Sequence, residues 1–257
     1  MKTTSLGFIG GGRITRIFLQ GFQNAGIEFA TVKVFDTNPE TLGALMKLYP
    51  AVEKAETAEE VAGQQVVFVA VHPPVVMETL QAIKDVVTEN ATVISLAPKI
   101  TLEKMAAVLP TRKLARMIPN ATSYINEGYN PVVFYPGMDE KMKKQIRKML
   151  KPLGKNFETD EAKLEGYALI SGMLPTYFWF QWQEIENIAL ETGLTSEEAQ
   201  KTIQSTLKRA IKLYYHSGLV PADVMNLIPV KPIGDNEAEI RNILNSKLLG
   251  LFAKIKP

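Results

Sequence analysis

The sequence predicts an α/β fold in which a doubly wound parallel sheet is followed by an all-α domain. Short apolar runs alternate with amphipathic stretches through the first two-thirds of the chain. A glycine-rich turn directly follows the first apolar run, and no β-like run occurs after residue 158. Because strands that alternate with helices are typical of parallel sheets, we predict an α/β domain over residues 1–158 and an all-α domain over residues 159–257.

Seven apolar runs of the first domain are predicted strands. Each has four to six residues, is rich in Val, Ile or Phe, and is continuous rather than alternating, which indicates strands covered on both faces. The predicted strands are residues 6–10, 31–35, 66–71, 92–96, 113–118, 131–135 and 155–158. The predicted helices between them are residues 14–25, 40–48, 74–87, 102–108 and 140–150.

The second domain contains three long helical segments, over residues 162–191, 196–216 and 237–254. Thr195 and Glu198 have the spacing of a capping box, and Gly193 and Gly218 stand where helices end. Gly172 and Pro175 interrupt the first segment, and we expect a kink or a break there because proline removes a helical hydrogen bond.

The composition excludes several kinds of site. The chain has no Cys and only two His, which excludes disulfides, thiolate metal sites, a cysteine nucleophile and a histidine-rich metal site. The 29 basic and 27 acidic side chains nearly balance, so we expect neither a nucleic acid nor an anionic membrane as the main partner. No run approaches about 18 apolar residues, and we expect a cytoplasmic protein.

The glycine-rich turn has the pattern of a dinucleotide-binding Rossmann domain. Gly10 permits a sharp turn after the strand, Gly11 continues it, and Gly12 lets a pyrophosphate approach the backbone. Arg13 and Ile14 then open a helix whose free N–H groups face the phosphates. The third position of the fingerprint holds Thr15 rather than Gly or Ala, a mild departure. A turn without a ligand is the alternative interpretation.

Asp36 ends the second predicted strand and supports the same interpretation. A carboxylate there can accept hydrogen bonds from a ribose diol and would repel a 2′-phosphate. NAD(H) is therefore favoured, while NADP(H) stays open because Arg13 could reach a phosphate. The alternative is that Asp36 merely caps the helix that begins near Pro39.

Several segments resemble the pyrroline-5-carboxylate reductase family, in the same order along nearly the whole chain. They are GFIGGG at residues 7–12, AVHP at 70–73, VISLA at 93–97, RMIPN at 116–120, EG at 127–128 and SGMLPTY at 171–177. The resemblance implies NAD(P)H-dependent hydride transfer to a cyclic imine, as in proline biosynthesis. It also implies a homodimer whose helical domains interlock, with the active cleft between the two domains.

The candidate cofactor contacts beyond the glycine turn are Val71, His72, Pro73 and Ala97, which lie at or just after the ends of predicted strands. Open α/β sheets place their ligands at this carboxyl edge, although His72 is equally consistent with a loop histidine. Asn120 can bind the nicotinamide carboxamide or the substrate, and an Asx turn after Pro119 is its alternative.

Lys231, Ser171 and Asn120 are the candidate catalytic residues. Lys231 could bind a substrate carboxylate or donate a proton, and a solvated lysine in a proline-bounded turn is the alternative. Ser171 offers a hydroxyl at the cleft, as Tyr177 does, but burial with a local hydrogen bond is as consistent with the sequence. An imine that is already protonated needs little acid catalysis, which agrees with the absence of an obvious His–Asp pair.

The chain departs from the family where the substrate should bind. The family has a Thr-Ser-Pro-Gly-Gly-Thr-Thr loop, and the corresponding residues 227–236, LIPVKPIGDN, lack the double glycine and the threonines. Two other functions therefore stay open. One is a different oxidoreductase on this scaffold, such as a deazaflavin (F420)-linked NADP reductase or a hydroxyacid dehydrogenase. The other is a non-catalytic protein that senses or stores dinucleotide.

Aromatic residues crowd the start of the second domain. Tyr177, Phe178, Trp179, Phe180 and Trp182 lie within six residues. One stripe of a helix cannot bury all of them in a small monomer, so we expect a partner subunit to supply cover.

Overall fold

The structure is a computed structural model and describes residues 3–257. It divides into two compact units. The first unit extends to Met173 and also includes the C-terminal segment Phe252–Pro257. The second unit is Leu174–Leu251. No helix within residues 3–257 combines the length and the apolar character needed to cross a membrane.

The first unit is built on one eight-stranded sheet in the order β3-β2-β1-β4-β5-β6-β7-β8. Its strands are β1 Ser5–Ile9, β2 Thr31–Phe35, β3 Glu53–Lys54, β4 Val66–Val69, β5 Thr92–Ser95, β6 Leu114–Met117, β7 Gly128–Phe134 and β8 Gly154–Glu158. All neighbouring pairs are parallel except β6 and β7, which are antiparallel. The predicted doubly wound α/β fold is therefore confirmed. The sequence did not predict that β7 and β8, which are parallel to each other, run opposite to β1–β6.

Helices cover both faces of this sheet. They are α1 Arg13–Asn24, α2 Pro39–Leu48, α3 Ala58–Ala62, α4 Pro73–Ile83, α5 Leu102–Val108 and α6 Glu140–Leu150. One core lies under α1, α2 and α6, where Phe8 stacks on Phe68 at 4.8 Å between ring centroids and Phe18 meets Phe68 edge-on. The other core lies under α3, α4 and α5. Each buried aromatic or aliphatic side chain contributes about 1.5–3 kcal/mol to this packing.

The chain beyond β8 forms helices joined by turns, and no strand occurs within residues 159–257. After α7 Leu164–Tyr167 and a π-helical turn over Ala168–Gly172, it forms α8 Trp179–Glu191, α9 Ser196–His216, α10 Pro221–Asn226 and α11 Glu237–Ile255. The predicted break near Gly172 and Pro175 is confirmed, since the π turn and a 3₁₀ turn over Leu174–Tyr177 separate α7 from α8.

The predicted helix ends of the second unit are also confirmed. Thr195 and Glu198 form both hydrogen bonds of a capping box at the start of α9. Gly193 and Gly218 follow α8 and α9 with φ of +91° and +80°. This left-handed conformation suits glycine, which has no Cβ to clash with the carbonyl.

The division into units differs from the predicted boundary at residue 158. Leu164 and Ala168 are buried in the core of the first unit, and Ile255 packs against the same core. Residues 159–173 and the C-terminal segment therefore pack with the sheet, although their helical pattern resembles that of the second unit.

The second unit buries very few of its side chains. Within Leu174–Leu251, all of which the structure describes, Ala199 is the one fully buried residue. Phe180 is 68% exposed, and Phe178, Trp179 and Trp182 are also exposed.

Candidate active site

The glycine turn leaves the sheet between β1 and β4. Gly10 has φ +106°, and a Cβ at this position would lie 2.6 Å from the carbonyl oxygen of Ala70. Only glycine fits, because any side chain would both strain the backbone and collide with the end of β4. The turn is thereby held in the position that the sequence predicted for it.

Asp36 connects this turn to the end of β2. Its Oδ2 accepts a hydrogen bond from Gly11 N at 2.7 Å, and its Oδ1 accepts one from Asn38 N at 2.8 Å. Asp36 does not cap α2, because that role belongs to Asn38, whose Oδ1 accepts hydrogen bonds from Glu40 N and Thr41 N. The carboxylate is half-buried and adjoins the glycine turn.

Gly12 occupies the cap position of α1 and leaves its N-terminus open. No side chain caps the helix there, and a Cβ on Gly12 would meet no atom within 4 Å. Arg13 is exposed and Ile14 is half-buried in the first turn. An uncapped helix N-terminus beside free space is a suitable site for a phosphate group.

Thr15 occupies the third position of the glycine fingerprint, where Gly or Ala is usual. The side chain is fully buried, and its hydroxyl donates a hydrogen bond to the carbonyl of Gly10. A buried hydroxyl is costly unless it is bonded, so this contact satisfies Thr15 and also fastens the turn.

The other candidate cofactor residues follow β4 and β5 at the same edge of the sheet. His72 is exposed and stands before α4, Pro73 is the first residue of α4, and Val71 is half-buried. Ala97 is buried just beyond β5. Because β1, β4 and β5 are parallel neighbours, their carboxyl ends bring these residues and the glycine turn to one edge.

Asn120 and Ser171 lie in contact. Asn120 Nδ2 donates to the carbonyl and to the hydroxyl of Ser171, each at 3.0 Å, and both residues are buried. Asn120 Oδ1 accepts from Thr122 N at 2.9 Å, and Ser171 Oγ donates to Tyr129 O at 2.6 Å. The Asx turn is thus present, and both side chains use their polar atoms to join the loop after β6 to the π turn.

Lys231 and Tyr177 belong to the second unit. Lys231 is exposed in a turn closed by a hydrogen bond from Gly234 N to Lys231 O at 2.9 Å. Burial raises the pKa of the Tyr177 phenol, so this group is neutral and can donate a hydrogen bond near neutral pH.

One buried cluster near the site was not predicted to have a role. Arg116, whose side chain is 0% exposed, forms ion pairs with Glu161 and Glu165. Glu161 also accepts a hydrogen bond from Leu102 N at 2.8 Å, and Glu165 accepts one from Lys99 N at 3.0 Å. The cluster therefore anchors the loop between β5 and α5, which also contains Ala97. The sequence contained a signal for this cluster, because Arg116 lies inside the apolar run 113–118 and a buried arginine requires carboxylate partners.

The chain is similar to known oxidoreductases, over its N-terminal part in one comparison and over nearly its whole length in others. The family described as NADP oxidoreductase, coenzyme F420-dependent, matches residues 5–99, which hold the glycine turn and the strands β1 to β5. The pyrroline-5-carboxylate reductase of Corynebacterium melassecola is 23% identical over 256 residues, covering 97% of this chain and 93% of the relative. That of Pseudomonas aeruginosa is 23% identical and covers 94% of this chain and 89% of its own.

The predicted resemblance to the pyrroline-5-carboxylate reductases is confirmed. A crystal structure of the Plasmodium falciparum pyrroline carboxylate reductase with NADP bound superposes with a TM-score of 0.75 at 18% identity. It covers 99% of this chain and 95% of the other. The fold is therefore shared along the whole length, including the helical region after β8.

Proposed function

We propose that the protein is an NAD(P)H-dependent reductase that transfers hydride to a cyclic imine, with pyrroline-5-carboxylate as the first substrate to test. The observation that carries this proposal is the open, uncapped start of α1 at Gly12, joined through Gly11 to the Asp36 carboxylate. It occurs in a chain that aligns almost from end to end with pyrroline-5-carboxylate reductases.

The residues present fit a dinucleotide. Gly10, Gly11 and Gly12 let the backbone approach a pyrophosphate, and the first N–H groups of α1, at Arg13 and Ile14, would meet its charge. Asp36 would accept hydrogen bonds from the adenine ribose, which favours NAD(H). His72, Pro73, Val71 and Ala97 would line the nicotinamide end. A bound reduced nicotinamide supplies the hydride for the reaction.

The chain's own contribution to chemistry is positioning and charge. A protonated imine already carries the positive charge that accepts hydride, so no strong general acid is needed. We assign to Lys231 the binding of the substrate carboxylate. Asn120 and Ser171 act by holding the loop after β6, because their hydrogen bonds are made within the protein.

A homodimer is part of this proposal. The second unit exposes the aromatic residues of α8 and buries only Ala199 within Leu174–Leu251. Exposed apolar area of this extent marks an interaction surface, and a second copy of the unit would cover it.

A non-catalytic role in sensing dinucleotide is the second candidate. It is favoured by the internal hydrogen bonds of Asn120 and Ser171, and by a loop over residues 227–236 that lacks the family's double glycine. In that case the glycine turn would bind cofactor without turnover.

Steady-state oxidation of NADH and of NADPH with pyrroline-5-carboxylate, together with cofactor binding by fluorescence, tests the proposal. We expect turnover with a preference for NADH. Tight binding of NADH without oxidation across a panel of cyclic imines and oxoacids would favour the sensing role. Absence of binding by either cofactor would contradict both.

A further inference from the structure

A cavity lies in the first unit, apart from the glycine turn. It has a volume of about 460 Å³. Its apolar lining comes from α4, the loop after β5 and the end of α11, and consists of Pro74, Met77, Pro98, Ile100 and Ile255. We call it the α4–α5 pocket. Its size is within the range of small-molecule sites, and its lining is mainly apolar, as in such sites.

The pocket is on the opposite layer of the sheet from the phosphate-binding helix. Helix α1 packs in the core that α2 and α6 share, whereas α4, α5 and Ile255 pack in the other core. A ligand in the α4–α5 pocket would therefore not occupy the N-terminus of α1. The pocket belongs to neither the glycine turn nor the Asn120–Ser171 pair.

Two cations complete the lining. Lys99 and Lys254 are both exposed and both line the pocket. Within the described part of the chain, neither ammonium group has a carboxylate at ion-pair distance. Two unpaired positive charges on an apolar lining favour an anion that carries an apolar body over a neutral ligand or a small inorganic ion.

Lys99 is held in an uncommon conformation. Its φ of +79° is in the left-handed region, which residues with a Cβ rarely adopt. The buried Glu165 carboxylate accepts the hydrogen bond from Lys99 N, and Arg116 in turn pairs with Glu165. Such backbone outliers concentrate at ligand-binding and active sites, which supports a ligand-binding role for the Lys99 side chain.

We propose that the α4–α5 pocket binds a small organic carboxylate with an apolar body, whose charge is met by Lys99 and Lys254. Pro73 lines this pocket and is also the first residue of α4, directly after the exposed His72. The ligand would thus contact Pro73, which lies at the sheet edge assigned to the cofactor. It would do so from the layer that holds α4 and α5, opposite to the layer that holds α1.

The test is calorimetric titration of the full-length protein with phenylacetate and with its neutral counterpart phenylacetamide. We expect phenylacetate to bind about tenfold more tightly than the amide, because only the acid interacts with the two ammonium groups. Saturating NADH should weaken phenylacetate binding at most, because Pro73 is the one lining residue also assigned to the cofactor, and this holds whether or not the protein reduces any imine. Equal affinities for acid and amide, no binding of phenylacetate at about 10 mM, or full competition by NADH would overturn the proposal.

Lys99→Gly is the decisive variant, because glycine accepts the left-handed backbone. We expect about a tenfold loss of phenylacetate affinity with unchanged or increased thermal stability, and Lys254→Gln should weaken binding in the same direction. Lys104→Gln is the matched control, since Lys104 is exposed on the neighbouring α5 but does not line the pocket. Retention of phenylacetate affinity in both Lys99→Gly and Lys254→Gln would contradict the assignment.

Discussion

At the scale of single residues, Gly10 and Gly12 are glycines for different reasons. Gly10 has a left-handed backbone pressed against the Ala70 carbonyl, whereas a Cβ on Gly12 would point into open space. The first glycine is thus needed for the fold. The second is needed only if a ligand approaches the helix.

Alanine at each position separates these two roles. Gly10→Ala should lower the free energy of unfolding by about 2 kcal/mol or more, through strain and a backbone collision. Gly12→Ala should lower the free energy of unfolding by only about 1 kcal/mol or less, since alanine is the poorer helix cap. It should weaken cofactor binding about tenfold, because the methyl group would fill the space left for the phosphates. Denaturant unfolding and fluorescence titration with NADH measure the two effects. Unchanged NADH affinity in Gly12→Ala would show that the dinucleotide does not bind at this helix.

Asp36 is predicted to set the choice between the two nicotinamide cofactors. Asp36→Asn removes the negative charge and retains an oxygen that can accept a hydrogen bond from Gly11 N or Asn38 N. NADPH affinity should rise about tenfold while NADH affinity changes little, since the repulsion of a 2′-phosphate is relieved. Titration of Asp36→Asn and of Asp36→Ala with NADH and with NADPH tests this. Equal affinities of the unmutated protein for the two cofactors would remove the basis of the prediction.

Residue spacing predicted the glycine turn and its acidic neighbour, because backbone constraints of this kind are local. It did not predict that Asn38 rather than Asp36 would cap α2, or that Thr15 would bond to Gly10. In each case more than one nearby polar side chain could form the hydrogen bond to the backbone. The sequence does not show which of them does so.

At the scale of elements, the Arg116 cluster joins three segments that are distant in the chain. It connects β6 to the start of α7 through Glu161 and Glu165, and these carboxylates bond the loop before α5. Arg116 Nε has no hydrogen-bond partner, so the guanidinium depends on these two carboxylates. The loop between β5 and α5, which contains Ala97, is thereby held by Arg116 and its two carboxylate partners.

Glu165→Ala should be strongly destabilising. It leaves the Arg116 guanidinium buried with one carboxylate, and we expect a loss of about 3 kcal/mol or more in the free energy of unfolding. Lys163→Ala is the control, because it removes a neighbouring ion pair that is exposed to solvent. Urea unfolding of both variants measures the difference. A Glu165→Ala variant as stable as Lys163→Ala would mean that the cluster does not hold the loop.

Segments with a clear apolar pattern were predicted well, and short segments without one were missed. The bounds of α5 and α6 agree with the prediction, whereas β3, α3 and α10 have two, five and six residues and were not predicted. A segment of this length has too few apolar positions to establish a period. Tertiary contacts therefore decide its structure, as for β3, which pairs with β2 at the sheet edge.

At the scale of the whole molecule, the second unit exposes apolar side chains that its own helices do not cover. Its apolar side chains are exposed along α8, and Ala199 is its single buried residue. The aromatic crowding in the sequence predicted this excess. The place where the units divide was not predicted, because α7 resembles the later helices in pattern yet packs against the sheet.

The unmutated protein should therefore be a dimer or a larger assembly in light scattering after size-exclusion chromatography. Phe180→Glu should shift it toward the monomer, because a charge would be buried in the interface. Gln183→Glu adds the same charge at an exposed polar position on the same helix and should leave the assembly intact. A monomeric unmutated protein would contradict the proposed dimer.

The proposed reaction is hydride transfer from a reduced nicotinamide to the carbon of a C=N bond. NADH that carries deuterium at both C4 positions, incubated with the protein and unlabelled pyrroline-5-carboxylate, traces this hydride. Mass spectrometry should show proline one mass unit heavier, with the deuterium on the ring carbon of the former C=N bond and not on the carbon that bears the carboxylate. Proline without the label, or no proline although NADH binds, would contradict the claim.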